Sequence, residues 1–365
     1  MWFVGGCVRD LLLGRAVHDV DVATDAHPEQ VASLFPRALD VGKSFGVMVV
    51  VSAPGRHIEV ATFRNDSAYI DGRRPASVVY TTAEEDVNRR DFTINGLLMD
   101  PRTAEIRDYV GGLDDLRERR LRLIGVAGDR LREDRLRVLR GLRFAAHLDF
   151  ACLPETWAAI CTTTLEGLSR ERIWQEWDKA LGAPGRGAWL HLVRDAGHLS
   201  EVCPLLPASE VPAACALLEQ ITPQDDPLLP EAAVLGCITD PVLWPWLLDN
   251  PRPRARIQRL RWLHDGAALM QSGPTIPARR RLFQHADGGL LARYLTLRGV
   301  VPQANEWLAE EQRMGPFVPL LRAADLLAAG LPPGPEIGRR LQLVEDAQLA
   351  GIIHERAAAL DLALT

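Results

Sequence analysis

"VHDVDVATDA", residues 17–26, is the stretch on which the fold turns. It alternates apolar and polar side chains, the pattern of a half-buried strand. On a strand, Asp19 and Asp21 point to one face, about 7 Å apart along the backbone. Two carboxylates at that spacing repel unless water or a cation lies between them. Taken alone, the pair favours a solvated strand edge over a divalent metal site. Asp25 reads as a cap for the helix "HPEQVASLF" that follows.

The neighbouring segments alter that balance. "MWFV" upstream is a short apolar strand, and "GGCVRDLLLG" turns through Gly5 and Gly6 into a helix that Gly14 ends. Two glycines before a helix let a phosphate approach backbone N–H groups, and Arg9 one turn later adds a charged donor. Downstream, "FGVMVVVSA" and "RHIEVATFR" form a hairpin. Its second strand carries Glu59, a third acid beside the pair or a surface residue on an edge. A polar loop, "DSAYIDGRRPASVVYT", leads to "AEEDVNRRDFTINGLLMD", helical and then apolar. "AEIRDYVGGLDDLRERRLRLIG" closes the unit with strand, Gly-Gly turn, helix and strand. Residues 1–125 therefore read as mixed α and β.

From residue 126 onward, helical periodicity with Leu, Ala, Arg and Trp runs to the end. Pro- and Gly-rich joints break it near 182–187, 221–230, 250–254, 272–277 and 330–335. No repeat of fixed period appears. The whole reads as an α+β head followed by an elongated all-α arm.

Composition sets the class. A chain of 365 residues with 47% hydrophobic and 25% charged residues is an ordinary multi-domain globular protein. No apolar run reaches the ~20 residues of a membrane helix. No secretory signal is apparent, and six scattered cysteines without a C-x-x-C pair read as buried, reduced thiols of a cytoplasmic protein. The net charge of −6 does not announce a nucleic-acid binder. Yet all but Lys43 and Lys179 of the 42 basic residues are arginine, and ten arginines fall between 117 and 143. Such a local positive region suits a polyanion.

Two further stretches carry chemistry. "NRRDFTING" (88–96) sets Arg89, Arg90 and Asp91 before an apolar segment; Asp91 suits a cap, and the arginines suit a triphosphate. In "GDRLREDRLRVLRGLRFAA" (128–146), Asp134, Arg137, Arg140 and Arg143 share one face if the stretch is a single helix. Asp and Arg there offer an acceptor and forked donors in one plane, enough to read a base edge.

These motifs, in order and with "SRERIWQEWDKAL", resemble the class II tRNA nucleotidyltransferase and poly(A) polymerase family over residues 1–181. The resemblance implies a polymerase-β-type nucleotidyltransferase head followed by helical neck, body and tail. Expected boundaries are 1–125, 126–200, 201–280 and 281–365. It implies Asp19 and Asp21 as ligands of two Mg²⁺ ions; Glu59, read from the residues alone, stays the candidate for a further catalytic acid. Gly5, Gly6, Arg9, Arg90, Asp91, Asp134, Arg137, Arg140 and Arg143 would bind nucleotide, Asp134 and Arg137 reading the base. "ERIWQE" (171–176) would brace that helix, and "YIDGRRP" (69–75) would be the loop that switches between C and A. The implied reaction adds CCA from CTP and ATP to tRNA, gripping its acceptor and T arms, by a monomer or homodimer.

"GKSFGVMVV" (42–50) lacks the basic stretch of the poly(A) polymerases. The full-length loop argues against a CC-adding enzyme, while A-only addition stays open. An inactive RNA-binding relative and a small-molecule nucleotidyltransferase are the readings from other classes. His198 and His264–Asp265 are the only later candidates for a hydrolase site, and neither has a supporting motif.

Overall fold

The computed structural model describes residues 1–17, 19–42, 46–53, 56–66 and 78–365. They form two compact units, Met1–Cys215 and Ala216–Thr365.

The first unit opens with β1 (Trp2–Val4), α1 (Gly6–Leu12), β2 (Asp21–Thr24), α2 (Pro28–Leu34), β3 (Ala38–Gly42), β4 (Val47–Ala53) and β5 (Arg56–Thr62). β6 (Arg64–Asp66), β7 (Val78–Tyr80), α3 (Ala83–Asn88), β8 (Leu98–Met99) and β9 (Ile106–Arg107) follow. The main sheet runs β3-β4-β5-β2-β1-β8-β9. Among the described strands only the β2–β5 pairing in it is parallel, so the sheet is mixed.

Register fixes which side chains share a face. Val4 pairs with Asp21, and Asp21 with Glu59, so all three point to one side. Val87 of α3 packs on that side with Val4, Ala23, Phe63 and Leu98. On the other side, Val31 of α2 packs on Met48 and Val50. β2 and β5 are interior strands, so neither Asp21 nor Glu59 lies on a sheet edge. The N-terminus of α2 is capped by Gln30, whose Oε1 accepts the His27 N–H at 2.8 Å. Asp25 is therefore not its cap; Gln30, at the third helical position, reaches the preceding backbone first.

The rest of the first unit is mostly helical, with one short strand pair. It holds α4 (Gly112–Arg117), β10 (Arg120–Leu121), α5 (Ala127–Glu133), α6 (Leu136–Leu148), β11 (Ala151–Cys152), α7 (Pro154–Thr162), α8 (Arg170–Leu181) and α9 (Arg186–Asp195). Leu139 and Leu142 of α6 are fully buried. Trp174, Trp177 and Trp189 meet edge-to-face, with ring centroids 5.4 and 5.6 Å apart in succession. Such contacts add to the ~150–250 Å² each aromatic ring buries.

The second unit is entirely helical among its named elements. Glu231 is buried between Arg252 and Arg256. His264 lies within the helix Arg254–Gln271, not at a helix end, beside the buried Tyr294. His198, in the first unit, spends both ring nitrogens on Glu201 and the Ile160 carbonyl, each at 2.9 Å. His198 is thus a buried core residue, and His264 is half-buried against Trp244 and Tyr294. All six cysteines are free thiols, but only Cys7, Cys203 and Cys215 are buried; Cys152 and Cys237 are half-buried and Cys161 is exposed, contrary to the expectation of burial. No helix among the described residues is long and apolar enough to cross a membrane.

Candidate active site

The site begins where β1 ends. Gly5 has φ +78° and ψ −139°, a region open essentially to glycine alone. A Cβ there would lie 3.6 Å from both Asp21 Oδ2 and Arg90 Nη1. The glycine turn thus leaves its space beside the carboxylate and the guanidinium.

Asp21 is the first residue of β2. Burial pushes its pKa up, and Glu59 and Asp19 push it the same way, while Arg90 opposes them. Burial is the larger cause and the two neighbouring acids the smaller one. Asp19 precedes the strand and is exposed. The strand alternation that would put Asp19 and Asp21 on one face therefore does not apply; their nearness comes from the lead-in to β2. Among the described residues no group of three or more Asp, Glu, His or Cys side chains is gathered for a metal. A cation here would rest on the pair Asp19 and Asp21.

α3 and the segment after it supply the cations. Asp86 is almost fully buried, and its carboxylate takes Arg89 Nε at 2.9 Å and Arg90 Nη2 at 3.0 Å. Spacings of three and four residues make those bonds possible on one helical turn. Asp91 accepts Arg140 Nε and Nη2 at 2.8 and 2.6 Å on one oxygen. Its other oxygen accepts the Phe92 N–H at 2.8 Å and Asn95 Nδ2 at 3.1 Å. Burial alone would raise the Asp91 pKa, but the Arg140 charge and these bonds outweigh it and lower the carboxyl to about 2. Asn95 Oδ1 in turn accepts Arg9 Nη1 at 2.7 Å. Arg9, Asn95, Asp91 and Arg140 are thus one chain of bonds. Phe144 sits among the arginines, with the guanidinium carbons of Arg9, Arg140 and Arg143 at 5.2, 5.3 and 4.5 Å from its ring centroid.

The stretch 128–146 is two helices, not one. α5 ends at Glu133 and α6 begins at Leu136. Asp134 lies between them at φ −143° and ψ 101°, and its Oδ1 accepts the Leu136 N–H at 3.1 Å. An aspartate followed by a fresh helix favours this arrangement, because its side chain satisfies an N–H the helix cannot. Oδ1 also accepts Arg172 Nη2 at 2.9 Å. Arg137 is nearly buried and donates to the Arg130 and Arg89 carbonyls at 2.8 and 3.2 Å. Arg143 donates to Glu176 at 2.7 Å. Two residues of "ERIWQE", Arg172 and Glu176, therefore hold the turn and α6.

A cleft of about 410 Å³ joins these parts. Gly5, Gly6, Arg9, Asp21, Arg90, Asp91, Asp134, Arg137 and Arg140 all line it. Asp19, Glu59 and Arg143 do not. Arg89, Asn95 and Phe144 also line it, and the sequence reading did not single out Asn95 or Phe144. Nor did it single out Asp86, for which the signal was present: an acid three and four residues before two arginines on a helix. The loop 69–75 and residues 43–45 of "GKSFGVMVV" lie outside the described residues.

Residues 1–122 match the poly A polymerase head domain. A CCA-adding enzyme of Geobacillus stearothermophilus is 36% identical over 339 residues, 92% of this chain and 76% of that protein. A CCA-adding enzyme of Streptococcus pneumoniae serotype 19F (strain G54) is 47% identical over 186 residues, 50% of this chain. That match spans 46% of the streptococcal protein, so the chain matches about half the length of this relative. The crystal structure of Bacillus stearothermophilus CCA-adding enzyme in complex with CTP matches with a TM-score of 0.82 at 30% sequence identity, covering 99% of this chain and 92% of that one.

Proposed function

The chain belongs to the family of CCA-adding enzymes, and from that premise we propose that it extends the 3′ end of tRNA by CCA, consuming CTP and ATP. The observation that carries the reading is the cleft itself. One space holds a buried carboxylate, the arginines Arg9, Arg90 and Arg140, and the pair Asp134 and Arg137.

In the reaction the tRNA 3′-hydroxyl oxygen bonds to the α-phosphorus, the bond to the β-phosphate breaks, and pyrophosphate leaves. Arg9, Arg90 and Arg140 receive the triphosphate and ribose, because forked guanidinium donors match phosphate oxygens. Asp91 acts through its partners: it holds Arg140 directly and Arg9 by way of Asn95. Arg143 supports the same group through Phe144. Gly5 and Gly6 keep the floor of the cleft open. Asp19 and Asp21 fit Mg²⁺, since the crowding of acids around Asp21 helps to raise its pKa. When bound there, the metal supplies Lewis-acid activation of the attacking hydroxyl and neutralisation of the leaving phosphates. Glu59 adds negative potential from the adjoining strand.

The base is read by protein. Oδ1 of Asp134 is taken by Arg172 and Leu136, which leaves Oδ2 to accept from a base amino group. Arg137 donates to the neighbouring ring acceptor. Cytosine and adenine both offer that amino donor and ring acceptor. Guanine and uracil offer a carbonyl and an N–H instead and leave both side chains unpaired, an outcome costing roughly 1–3 kcal/mol per buried group. We assign residues 1–125 as catalytic head, 126–200 as the base-reading neck, and 201–280 and 281–365 as body and tail for the acceptor and T arms. The activity belongs to the cytoplasm. The test is incubation with tRNA lacking its 3′ end and each labelled nucleotide. Incorporation of CTP and then ATP supports the reading; ATP alone marks an A-adding enzyme, and long tails on unrelated RNA a poly(A) polymerase.

A further inference from the structure

We propose that the helical part of the first unit carries a second anion site, which takes a backbone phosphate of the RNA 3′ strand and reports its presence to Asp134. The proposal rests on the tRNA-extending function given above. A separate pocket of about 190 Å³ lies between the α5–α6 break and the turn before α8. Arg132, Arg135 and Arg172 line it, with Glu133, Glu166 and Gly167. It shares no lining residue with the nucleotide cleft.

The local backbone is shaped around it. The Leu168 N–H donates to the Leu165 carbonyl at 3.0 Å, closing a tight turn. Gly167 within that turn has φ +82°, and a Cβ there would stand 3.5 Å from Arg135 Nη1. Arg135 ties the turn by donating to the Glu166 carbonyl. α8, twelve residues long, is capped at Ser169, so its positive end adjoins the pocket wall.

Size and charge select the ligand. Pockets for whole small molecules run to ~300–1,000 Å³, so this one suits a phosphate group and not a second nucleotide. Three guanidiniums line the pocket with Glu133 and Glu166, and two of them are also paired outside it, Arg132 with Asp129 and Arg172 with Asp134. Glu133 is already engaged by Arg130 and Arg137, which reduces its repulsion of an anion. Arginine is the side chain that most often fixes phosphates of a nucleic acid. The link to chemistry is Arg172, which lines this pocket and donates to Asp134 Oδ1 at 2.9 Å. Asp134 lines the nucleotide cleft. A phosphate that draws on Arg172 therefore changes the support of the base-reading carboxylate. Nucleotide choice is thereby coupled to where the RNA end sits.

The test uses the full chain and two variants, Arg132→Gln and Arg135→Gln, singly and together. Binding of tRNA lacking its 3′ CCA is titrated without nucleotide across a range of KCl. The double variant is expected to bind about 5- to 10-fold more weakly, with a salt slope shallower by about one. Nucleotide affinity measured without RNA is expected to stay unchanged, whereas the choice between CTP and ATP on bound tRNA is expected to shift, and an unshifted choice would overturn the link to Asp134. An unaltered Kd and salt slope would overturn the site. A raised nucleotide KM with unaltered RNA binding would overturn it too, by assigning the pocket to a nucleotide phosphate. The Arg132 side chain is 70% exposed, so that single variant still probes the pocket even if Arg135→Gln folds poorly. RNA binding is read without turnover. Wild-type protein that incorporates neither CTP nor ATP would therefore sink the function while the titration still judges the pocket.

Discussion

Replacing Asp91 with Asn removes one charge from the centre of the bond chain and leaves the side-chain shape. The wild-type carboxylate holds Arg140 through two bonds of 2.8 and 2.6 Å. Its pKa falls from 3.8 to about 2 on folding. At about 1.4 kcal/mol per pH unit, that drop is worth roughly 2–3 kcal/mol. Removing one partner of a buried pair costs about 3–5 kcal/mol, and Arg140 is partly exposed, so the lower end applies. Both routes give a loss of roughly 2–3 kcal/mol. The sign follows from the direction of the shift. The folded carboxyl is the stronger acid, so its stabilisation is complete above about pH 4 and is lost as the pH falls toward 2. The gap between wild type and Asp91→Asn should thus be flat from pH 8 to 5 and close below pH 4. Urea unfolding of the full chain, followed by tryptophan fluorescence at several pH values, measures it. A gap under 1 kcal/mol at pH 7, or one that widens in acid, would refute the reasoning.

The double variant Asp19→Ala, Asp21→Ala should lose nucleotide addition by at least about 10³-fold while binding tRNA as before; substantial residual turnover removes the metal assignment. Gly5→Ala forces a backbone conformation that costs of order 1–3 kcal/mol and places a methyl 3.6 Å from Asp21 and Arg90. It should lower thermal stability and raise the KM for both nucleotides, and an unchanged melting temperature would count against the turn's role. Asn95→Leu should cut Arg9 from Asp91 and raise the nucleotide KM about tenfold, with RNA affinity as the control.

The head was legible because its strands carry alternation and its turns carry glycine, two local signals. Lead-ins and breaks were harder. Asp19 looked like a strand residue because "HDVDVAT" alternates, yet pairing begins only at Asp21, where Val4 and Glu59 stand opposite. Asp134 looked helical because arginines and leucines flank it without a Gly or Pro. The break comes from its own side chain capping Leu136 and from Arg172, 38 residues away in the chain. Such a contact has no local signature. The same holds for Asn95 and Phe144, whose roles appear only once α1 and α6 meet the segment after α3. Asp91 reads as a cap or a nucleotide contact; it lines the cleft, and both its oxygens also accept from protein donors, which no local pattern announces.

The central claim is that side chains of this cleft choose the base. Its most direct measurement is sequencing of the ends made on tRNA lacking its 3′ terminus when all four nucleotides compete. Wild type should yield CCA and stop, and Asp134→Ala should admit G and U at least about tenfold more often. Ends from Asp134→Ala identical to wild type, or wild-type ends of mixed sequence, would contradict it.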